Sequence, residues 1–597
     1  MSGKTPGADR ISYPMLKNCP LSLKNRIIKL YNNILCQGVY PQSWKHAVIL
    51  SIPKSNVVSA DVLGYRPISL LCCMGKILEK IISKRISWFA LTKNLLSQNQ
   101  VAFKAGQGTM GALLYFDNFA KTALSKRNHI STLSLDFEKA FDRVGSHVIL
   151  RQLEKWQIGE KIFYFIKSFL INRKFVTKIN NTFSNTYNMY NGIPQGSPLS
   201  VILFVIAFNE ISTIISKYKL ISHIIYADDV LVFSKQNNLN TFKNTFLKIL
   251  SDISNWSYCS GANISINQCK LFHICRKHKC NTFNLNYNNV NIVNTTSLKF
   301  LGLIFDKRLT FKEHCTNLRK QLISRLNIIK YLSSKYCLIH ISSLINITRA
   351  LILSKIDYGL PIYGNCAKSN IKQIFPPYYV AVRRSIRAFP TSPIKFILTE
   401  AGLPSIEERV LHTSQKLIPK LLLCNNKLLY GIVKAKWTDD TISNTSSTVS
   451  KCIKLAKDLG ITTTPEEKSI SFVPSWLLKE SSFELRLQKH HKDTNSRVYQ
   501  SLFKELIVQH YVDWQLIFTD ASKADFCTSF AIVDNVRNTL KAGRLPNYSS
   551  VYTAEAAAVY NALSVVQKSN LKTLICTDSK STISALLNAS NKSYLIA

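Results

Sequence analysis

Residues 221–233 read Ile-Ser-His-Ile-Ile-Tyr-Ala-Asp-Asp-Val-Leu-Val-Phe. Two apolar, β-prone runs, Ile224–Tyr226 and Val230–Phe233, flank the adjacent carboxylates Asp228 and Asp229. The pattern predicts a hairpin with both acids at its tip. Two carboxylates held that close repel and raise each other's pKa. Either the turn is simply solvated, or a divalent cation cancels the repulsion. The metal reading requires a third carboxylate and a surface suited to a polyanion.

The charge balance supplies the surface. The chain has 597 residues, and 77 Lys and Arg against 34 Asp and Glu give a formal charge of +43, spread from end to end. Nucleic acid is the first partner for such a chain and an anionic membrane the second; a merely solvated basic surface is the bland alternative. The longest apolar run, Val201–Phe208, is too short to span a bilayer, so no membrane segment is expected. The opening Met1–Gly7 is polar and turn-like, unlike a signal peptide. The 15 cysteines are odd in number and irregularly spaced. Cys275, His278 and Cys280 lack a second pair at zinc-ligand spacing and read as ordinary thiols. A reducing compartment, nucleus or cytoplasm, follows.

Along the chain, 46–54 reads as a strand stopped by Pro53, and 65–70 as a second extended piece. Between 72 and 90, Met74, Ile77, Leu78, Ile81, Ile82 and Ile86 form a helical stripe, with Lys76, Glu79, Lys80, Lys84 and Arg85 on the other face. A helix over 110–127 follows. Residues 130–136 alternate as a strand ending at Asp136, the third carboxylate, and a helix capped by Ser146 comes next. The Gly- and Pro-rich 191–198 reads as a loop before an apolar helix over 199–215. The Asn-rich 281–296 reads as a loop or hairpin connection, and 298–305 as a strand. In 312–332 a stripe of Leu318, Leu322, Leu326 and Ile329 leaves Arg319, Lys320, Arg325 and Lys330 facing elsewhere. Residues 438–450 carry almost no apolar content and read as a linker, and 514–519 as a strand leading to Asp520.

Three of these segments carry a resemblance. Asp136-Phe137-Glu138-Lys139-Ala140-Phe141-Asp142, then Gly192–Leu199, then Tyr226-Ala227-Asp228-Asp229 resemble, in order and spacing, motifs A, B and C of reverse transcriptases. The likeness is closer to non-LTR, LINE-type retrotransposon polymerases of the jockey kind. Lys4–Asp9, Tyr65–Leu70, Gln100–Phe103, Asn267–Lys270, Phe300–Gly302 and Asp357–Gly359 fall where that family has its other motifs. It implies an α+β right-hand polymerase with fingers, antiparallel palm and helical thumb. The implied activity is RNA-directed DNA polymerisation, with an RNA template, a DNA primer and dNTPs as partners and an endonuclease in an upstream segment. Two Mg²⁺ ions, with Mn²⁺ able to substitute, would be held by Asp136 and Asp228, assisted by the Phe137 carbonyl and completed by Asp229. Lys54 and Arg66 would neutralise the triphosphate. Phe141 would exclude a 2′-hydroxyl, Gln195 would touch the template–nucleotide pair, Gly192 and Gly196 would allow close backbone approach, and Lys270 would protonate pyrophosphate. Lys104 stands where the family has arginine. One rival is another enzyme of the same palm class, maturase-like or a viral RNA polymerase, and Ala227 and Phe141 speak against the viral one; a non-catalytic remnant of a mobile element is the other rival.

A second acidic set, Asp520, Glu555 on a helix and Asp578 after a strand, resembles the retroelement ribonuclease H domain, a partial α/β fold here. Ala521 replaces the family's usual glycine, and Ala597 comes before the region expected to supply a fourth acid, so nuclease activity is left open. The expected domains are 1–305 for fingers and palm, 306–435 for thumb and following helices, 436–510 for a connection, and 511–597 for an incomplete ribonuclease H-like domain.

Overall fold

The computed structural model describes residues 5–53, 64–235, 239–277, 282–334, 336–424, 426–438, 447–467, 483–489, 495–536, 538–566 and 571–587. Within it the chain divides into two units, Met1–Ile470 and Ser471–Ala597.

The first unit is built around a five-stranded sheet in the order Asn294–Thr295, Lys270–Ile274, Ile130–Leu135, Asp229–Lys235, Ser222–Tyr226. The Ile130–Leu135 strand is central and runs antiparallel to both neighbours. Successive strand residues point to opposite faces, and here each face meets its own core. Ile130, Ile224, Leu231, Phe233, Phe272 and Ile274 pack with Phe116, Phe305 and Leu322 on one side. Leu133, Leu135, Ile225, Val230, Val232 and Leu271 pack with Phe204, Phe246 and Phe165 on the other. A sheet buried on both faces holds its register firmly, because a slip of one residue would exchange the two sets.

The second core contains the apolar helix Pro198–Ser216, which Ser197 caps by accepting from the Leu199 and Ser200 N–H groups at 3.1 and 3.2 Å. It is long and apolar enough to cross a membrane, yet most of it lies inside this core. Another sheet pairs His46–Pro53 with Tyr65–Leu70 antiparallel and with Arg173–Ile179 parallel.

The helix expected over 72–90 spans Cys73–Thr92, with two positions exchanged. Ile81, assigned to the apolar stripe, is exposed, and Glu79, assigned to the charged face, is fully buried. Glu79 tolerates burial because it finds polar partners, described below. The expected linker 438–450 is also corrected where it is described. Residues 447–450 open a helix, Thr448–Asp458, whose Val449, Cys452 and Ile453 lie in the first core. Polar composition misleads there because the polar groups are satisfied locally: Ser447 accepts from the Ser450 N–H at 3.3 Å, and Asp117 accepts from the Thr448 N–H at 3.0 Å. The Asn-rich segment forms a small hairpin, Leu285–Tyr287 with Val290–Ile292, turned by Asn288 and Asn289 at positive φ.

In the expected thumb, Leu318, Leu322, Leu326 and Ile329 of the Lys312–Leu332 helix are buried as the stripe predicts. Arg319, Lys320 and Lys330 are exposed, but Arg325 turns inward and donates to the Leu351 carbonyl at 2.9 Å. Two segments distant in sequence dock here. The Tyr358 hydroxyl donates to the Leu301 carbonyl at 2.6 Å, and Asp357 accepts from Arg409 at 2.6 and 2.5 Å. Gly359, at φ +75, approaches so closely that a Cβ would sit 2.6 Å from Leu303 Cδ2.

The second unit has a four-stranded sheet in the order Thr539–Leu545, Cys527–Asp534, Gln515–Ala524, Thr573–Thr577. The first three form an antiparallel meander and the last joins parallel. The helix Val551–Val566 covers it through Ala557, Ala558 and Ala562 on Ile517, Phe530 and Ile532. The strand expected over 514–519 runs on to Ala524, which places Asp520 inside it.

Gly359→Ala combines a strained φ with that overlap and should lower the unfolding free energy by about 2 kcal/mol in urea titration. A change of a few tenths would mean the contact between Gly359 and Leu303 is looser than described.

Candidate active site

Strand register alone brings the first acids together. Leu135 pairs with Val230, so the next residue, Asp136, falls opposite Asp229. Both lie on the face that carries Ser134 and Leu231. Tyr226 pairs with Asp229, leaving Ala227 and Asp228 as the hairpin turn; Ala227 adopts φ +57, a region costly for a residue with a Cβ. Asp136 is half-buried, and Asp228 and Asp229 are exposed. Partial desolvation, then the charges of Asp228 and Asp136, push the Asp229 carboxyl up to about 6. A cation bridging these groups relieves that repulsion, and their hard oxygens suit Mg²⁺ or Mn²⁺.

The segment after Asp136 is fixed on both sides. The Asp136 carbonyl accepts from the Ser265 N–H at 2.9 Å, and the Glu138 N–H donates to the Asn263 carbonyl at 2.9 Å. The Phe137 ring is buried edge-on against Phe208 and Trp256. Phe141 stacks on Phe204 with ring centres 3.9 Å apart, and Phe204 stacks on Phe208 at 4.2 Å. The ladder holds the half-buried Phe141 ring flat at the wall of a cavity of about 200 Å³ that Pro194, Gln195, Gly196 and Ser200 also line.

The Gly192–Leu199 loop is seated against the Asp136 segment. The Gly192 N–H donates to the Val144 carbonyl and the Ile193 N–H to the Phe141 carbonyl. A Cβ on Gly192, at φ +81, would lie 2.4 Å from the Asp142 carbonyl oxygen. Gln195 donates from Nε2 to Asp142 Oδ1 at 2.8 Å, and its own carbonyl accepts from the Ser69 N–H at 2.7 Å. Phe141, Gln195 and Gly196 thus line one cavity.

The remaining expected residues divide. Lys270 is exposed and directly opposite Ser134, on the aspartate face and one pleat back from Asp136. Arg66 is exposed on the strand Tyr65–Leu70, opposite Ile52. Lys54 lies outside the described residues. Lys104 points inward and donates to the Ser97 carbonyl at 2.5 Å; burial pushes its amine down to about 8.

A buried network beneath the loop escaped the sequence reading. The Tyr40 and Ser197 hydroxyls donate to the two Glu79 carboxylate oxygens at 2.5 Å each. Arg173 is buried nearby and donates to the Phe169 carbonyl at 3.0 Å. Burial raises the Glu79 carboxyl; the Ser197 and Tyr40 hydrogen bonds and the Arg173 charge oppose the rise. Ser197 is also the cap of the Pro198–Ser216 helix, so Glu79 holds the hydroxyl that ends the cavity-lining loop. The available signal was the spacing of Gly75, Glu79, Ile82 and Ile86 on one helical face.

In the second unit, Asp520, Glu555 and Asp578 bring their carboxylate oxygens within 4.8 Å of one another. Glu555 is buried, and its Oε2 has no hydrogen-bond partner among the described residues. Burial, then the charges of Asp578 and Asp520, push it up to about 7. The orphaned oxygen suits a divalent cation. Asp136, Asp228 and Asp229 form a more open set, outside that spacing.

Comparison with known proteins covers the segment that holds the first site. Residues 52–305 match the reverse transcriptase (RNA-dependent DNA polymerase) family. That span includes Asp136, the Gly192–Leu199 loop, Asp228 and Asp229. The chain is 26% identical over 434 residues to the RNA-directed DNA polymerase from the mobile element jockey of Drosophila melanogaster, covering 71% of this chain and 47% of that protein. It is 28% identical over 375 residues to the probable RNA-directed DNA polymerase from transposon X-element of the same species, covering 62% and 41%. The chain therefore matches about half the length of these relatives. A solved telomerase structure from Candida albicans overlaps 66% of this chain and 71% of its own at 12% identity, with a TM-score of 0.34.

Glu79→Ala should cost about 3 kcal/mol in chemical denaturation, because it strands Arg173 and two hydroxyls without their partner. A change below about 1 kcal/mol would show the network to be incidental. Asp229 and Glu555 both sit above their ordinary values of 3.8 and 4.5, so ionising either opposes folding. In chelator, Asp229→Asn and Glu555→Gln should therefore raise the unfolding temperature at about pH 8 and leave it unchanged at about pH 2, below the ordinary values of both carboxyls, where each is protonated in folded and unfolded chains.

Proposed function

We propose that the first unit is an RNA-directed DNA polymerase of a non-LTR retrotransposon, copying element RNA into DNA from a primer 3′-hydroxyl. The observation that carries this reading is the register that sets Asp136 opposite Asp229, with Asp228 at the adjoining hairpin tip. Asp136 and Asp228 would be the principal ligands of two divalent ions, with the Phe137 carbonyl and Asp229 completing the set. Bound there, Mg²⁺ would activate the 3′-hydroxyl and stabilise the leaving pyrophosphate. Arg66, with Lys54, neutralises the triphosphate. Gln195, held by Asp142, presents a fixed surface to the template–nucleotide pair. Phe141, immobilised by its stack on Phe204, closes the space a 2′-hydroxyl would need. Lys270, on the aspartate face, delivers a proton to pyrophosphate. Exposed Arg319, Lys320 and Lys330 contact template–primer phosphates without reading sequence.

Extension of a DNA primer on a homopolymeric RNA template with Mg²⁺ tests the assignment. Wild type should incorporate dNTPs and Asp228→Ala/Asp229→Ala should not; equal rates would refute it. Phe141→Ala should raise ribonucleotide incorporation relative to deoxynucleotide, with primer binding unchanged. Unaltered sugar selection would remove Phe141 from that role.

For the second unit we infer a ribonuclease H-like fold with a divalent-cation site at Asp520, Glu555 and Asp578. Its three-strand meander, covering helix and parallel fourth strand support the fold. A cavity of about 440 Å³ beside Asp520, lined also by Ser522, Ser529 and Arg544, offers room for a phosphate backbone. Mg²⁺ should protect this unit against thermal unfolding in wild type and not in Asp520→Asn/Asp578→Asn. Equal protection would place the ion elsewhere.

A further inference from the structure

We propose that His129, His273 and Cys275 form a binding site for a zinc-type divalent cation, at the opposite end of the central sheet from the aspartates. No part of the polymerase reading requires it. The register Ile130↔Ile274 and Ser131↔His273 places His129 across from Cys275, one pleat beyond. His129, His273 and Cys275 therefore share one face at the ends of two adjacent antiparallel strands, where facing side chains lie about 5 Å apart at Cβ. Their ligand atoms all lie within 4.8 Å of one another.

The detailed geometry fits a tetrahedral ion. His129 Nδ1 and His273 Nε2 are 3.2 Å apart. Zinc–nitrogen bonds of about 2.0–2.1 Å at tetrahedral angles separate two ligand nitrogens by about 3.3 Å. The other His273 nitrogen, Nδ1, lies 3.1 Å from the Ser131 hydroxyl, the kind of outer partner that orients a ligating imidazole. Two imidazoles and a thiol form a soft donor set that favours zinc over magnesium. Burial, then the charge of Lys277, lowers His129; burial, then His129 and Lys307, lowers His273 to about 4. Burial favours the neutral form of both imidazoles, the form that binds metal, and Cys275 would lose its thiol proton to solvent on binding. His273 and Cys275 are buried and His129 is half-buried, which leaves a way in. A fourth position remains for water or another donor. His278 and Cys280 lie outside the described residues.

Six residues of strand, Ile130–Leu135, separate His129 from Asp136, and the seven steps span roughly 23 Å along the sheet. Such an ion would take no part in chemistry at the aspartates. It would fasten the start of the Asp136 strand to the Lys270–Ile274 strand, fixing the register that sets Lys270 opposite Ser134 on the aspartate face.

The test is elemental analysis of the full chain, produced with zinc and dialysed against metal-free buffer. Wild type and Asp228→Ala/Asp229→Ala should each retain about one zinc per chain. His273→Ala and Cys275→Ser should fall to the buffer background. If those buried variants unfold, His129→Asn at the half-buried position must lose zinc with an unchanged far-UV circular dichroism spectrum. With Co²⁺ in place of zinc, the thiolate-to-cobalt charge-transfer band should vanish in Cys275→Ser and persist in Cys337→Ser. Zinc-free wild type, or equal zinc in wild type and all three variants, would overturn the proposal and leave a hydrogen-bonded imidazole pair.

Discussion

The structure depends on the strict alternation of the central sheet between two cores. Leu133, Leu135, Val230 and Val232 cannot leave one core, nor Ile130, Leu231 and Phe233 the other, without exposing large apolar surfaces. Asp136 and Asp229 inherit their common face from this arrangement. Burial, then the charges of Asp228 and Asp136, raise the Asp229 carboxyl; this opposes folding locally and is tolerated because the strands behind them are pinned. A charge cluster maintained by packing is a stored affinity for cations, realised when one binds.

The cavity beside this cluster is organised by a second constraint. Phe141 belongs to the segment that leaves Asp136, and the Gly192–Leu199 loop rests on that same segment through Gly192, Ile193 and Gln195. The loop's other end is tied through Ser197 to Glu79, and through Glu79 to Tyr40. Carboxylates, aromatic wall and loop therefore share one continuous scaffold. Backbone hydrogen bonds from Gly192 and Ile193 tie the loop to the segment that leaves Asp136.

Much of this was legible in the sequence where the signal was local. The Asp228–Asp229 hairpin, the strand ending at Asp136, the apolar helix after Pro198 and the stripe on the Lys312–Leu332 helix follow from periods of 2 and 3.6 and from turn residues. Motif order supplied Phe141 and Gln195, which do line one cavity. What the sequence concealed was pairing at a distance. Glu79 reads as a surface charge until Tyr40 and Ser197 are seen to meet it. Thr448 reads as linker until Asp117 is found accepting from its N–H. Arg325 reads as part of the outward basic face until Leu351 claims it. Cys275 reads as an ordinary thiol until register sets His129 across from it.

The central claim is that Asp136, contributed by a different strand from the Asp228–Asp229 hairpin, completes one metal-dependent polymerising site. The direct measurement is the rate of single-dNTP addition to a DNA primer on an RNA template, for wild type and Asp136→Asn at equal template–primer occupancy. Loss of a charged ligand from the reacting ions should remove several kcal/mol of transition-state stabilisation, a fall of about a thousandfold or more with template–primer affinity retained. A rate within about tenfold of wild type, less than about 1.4 kcal/mol, would contradict the account.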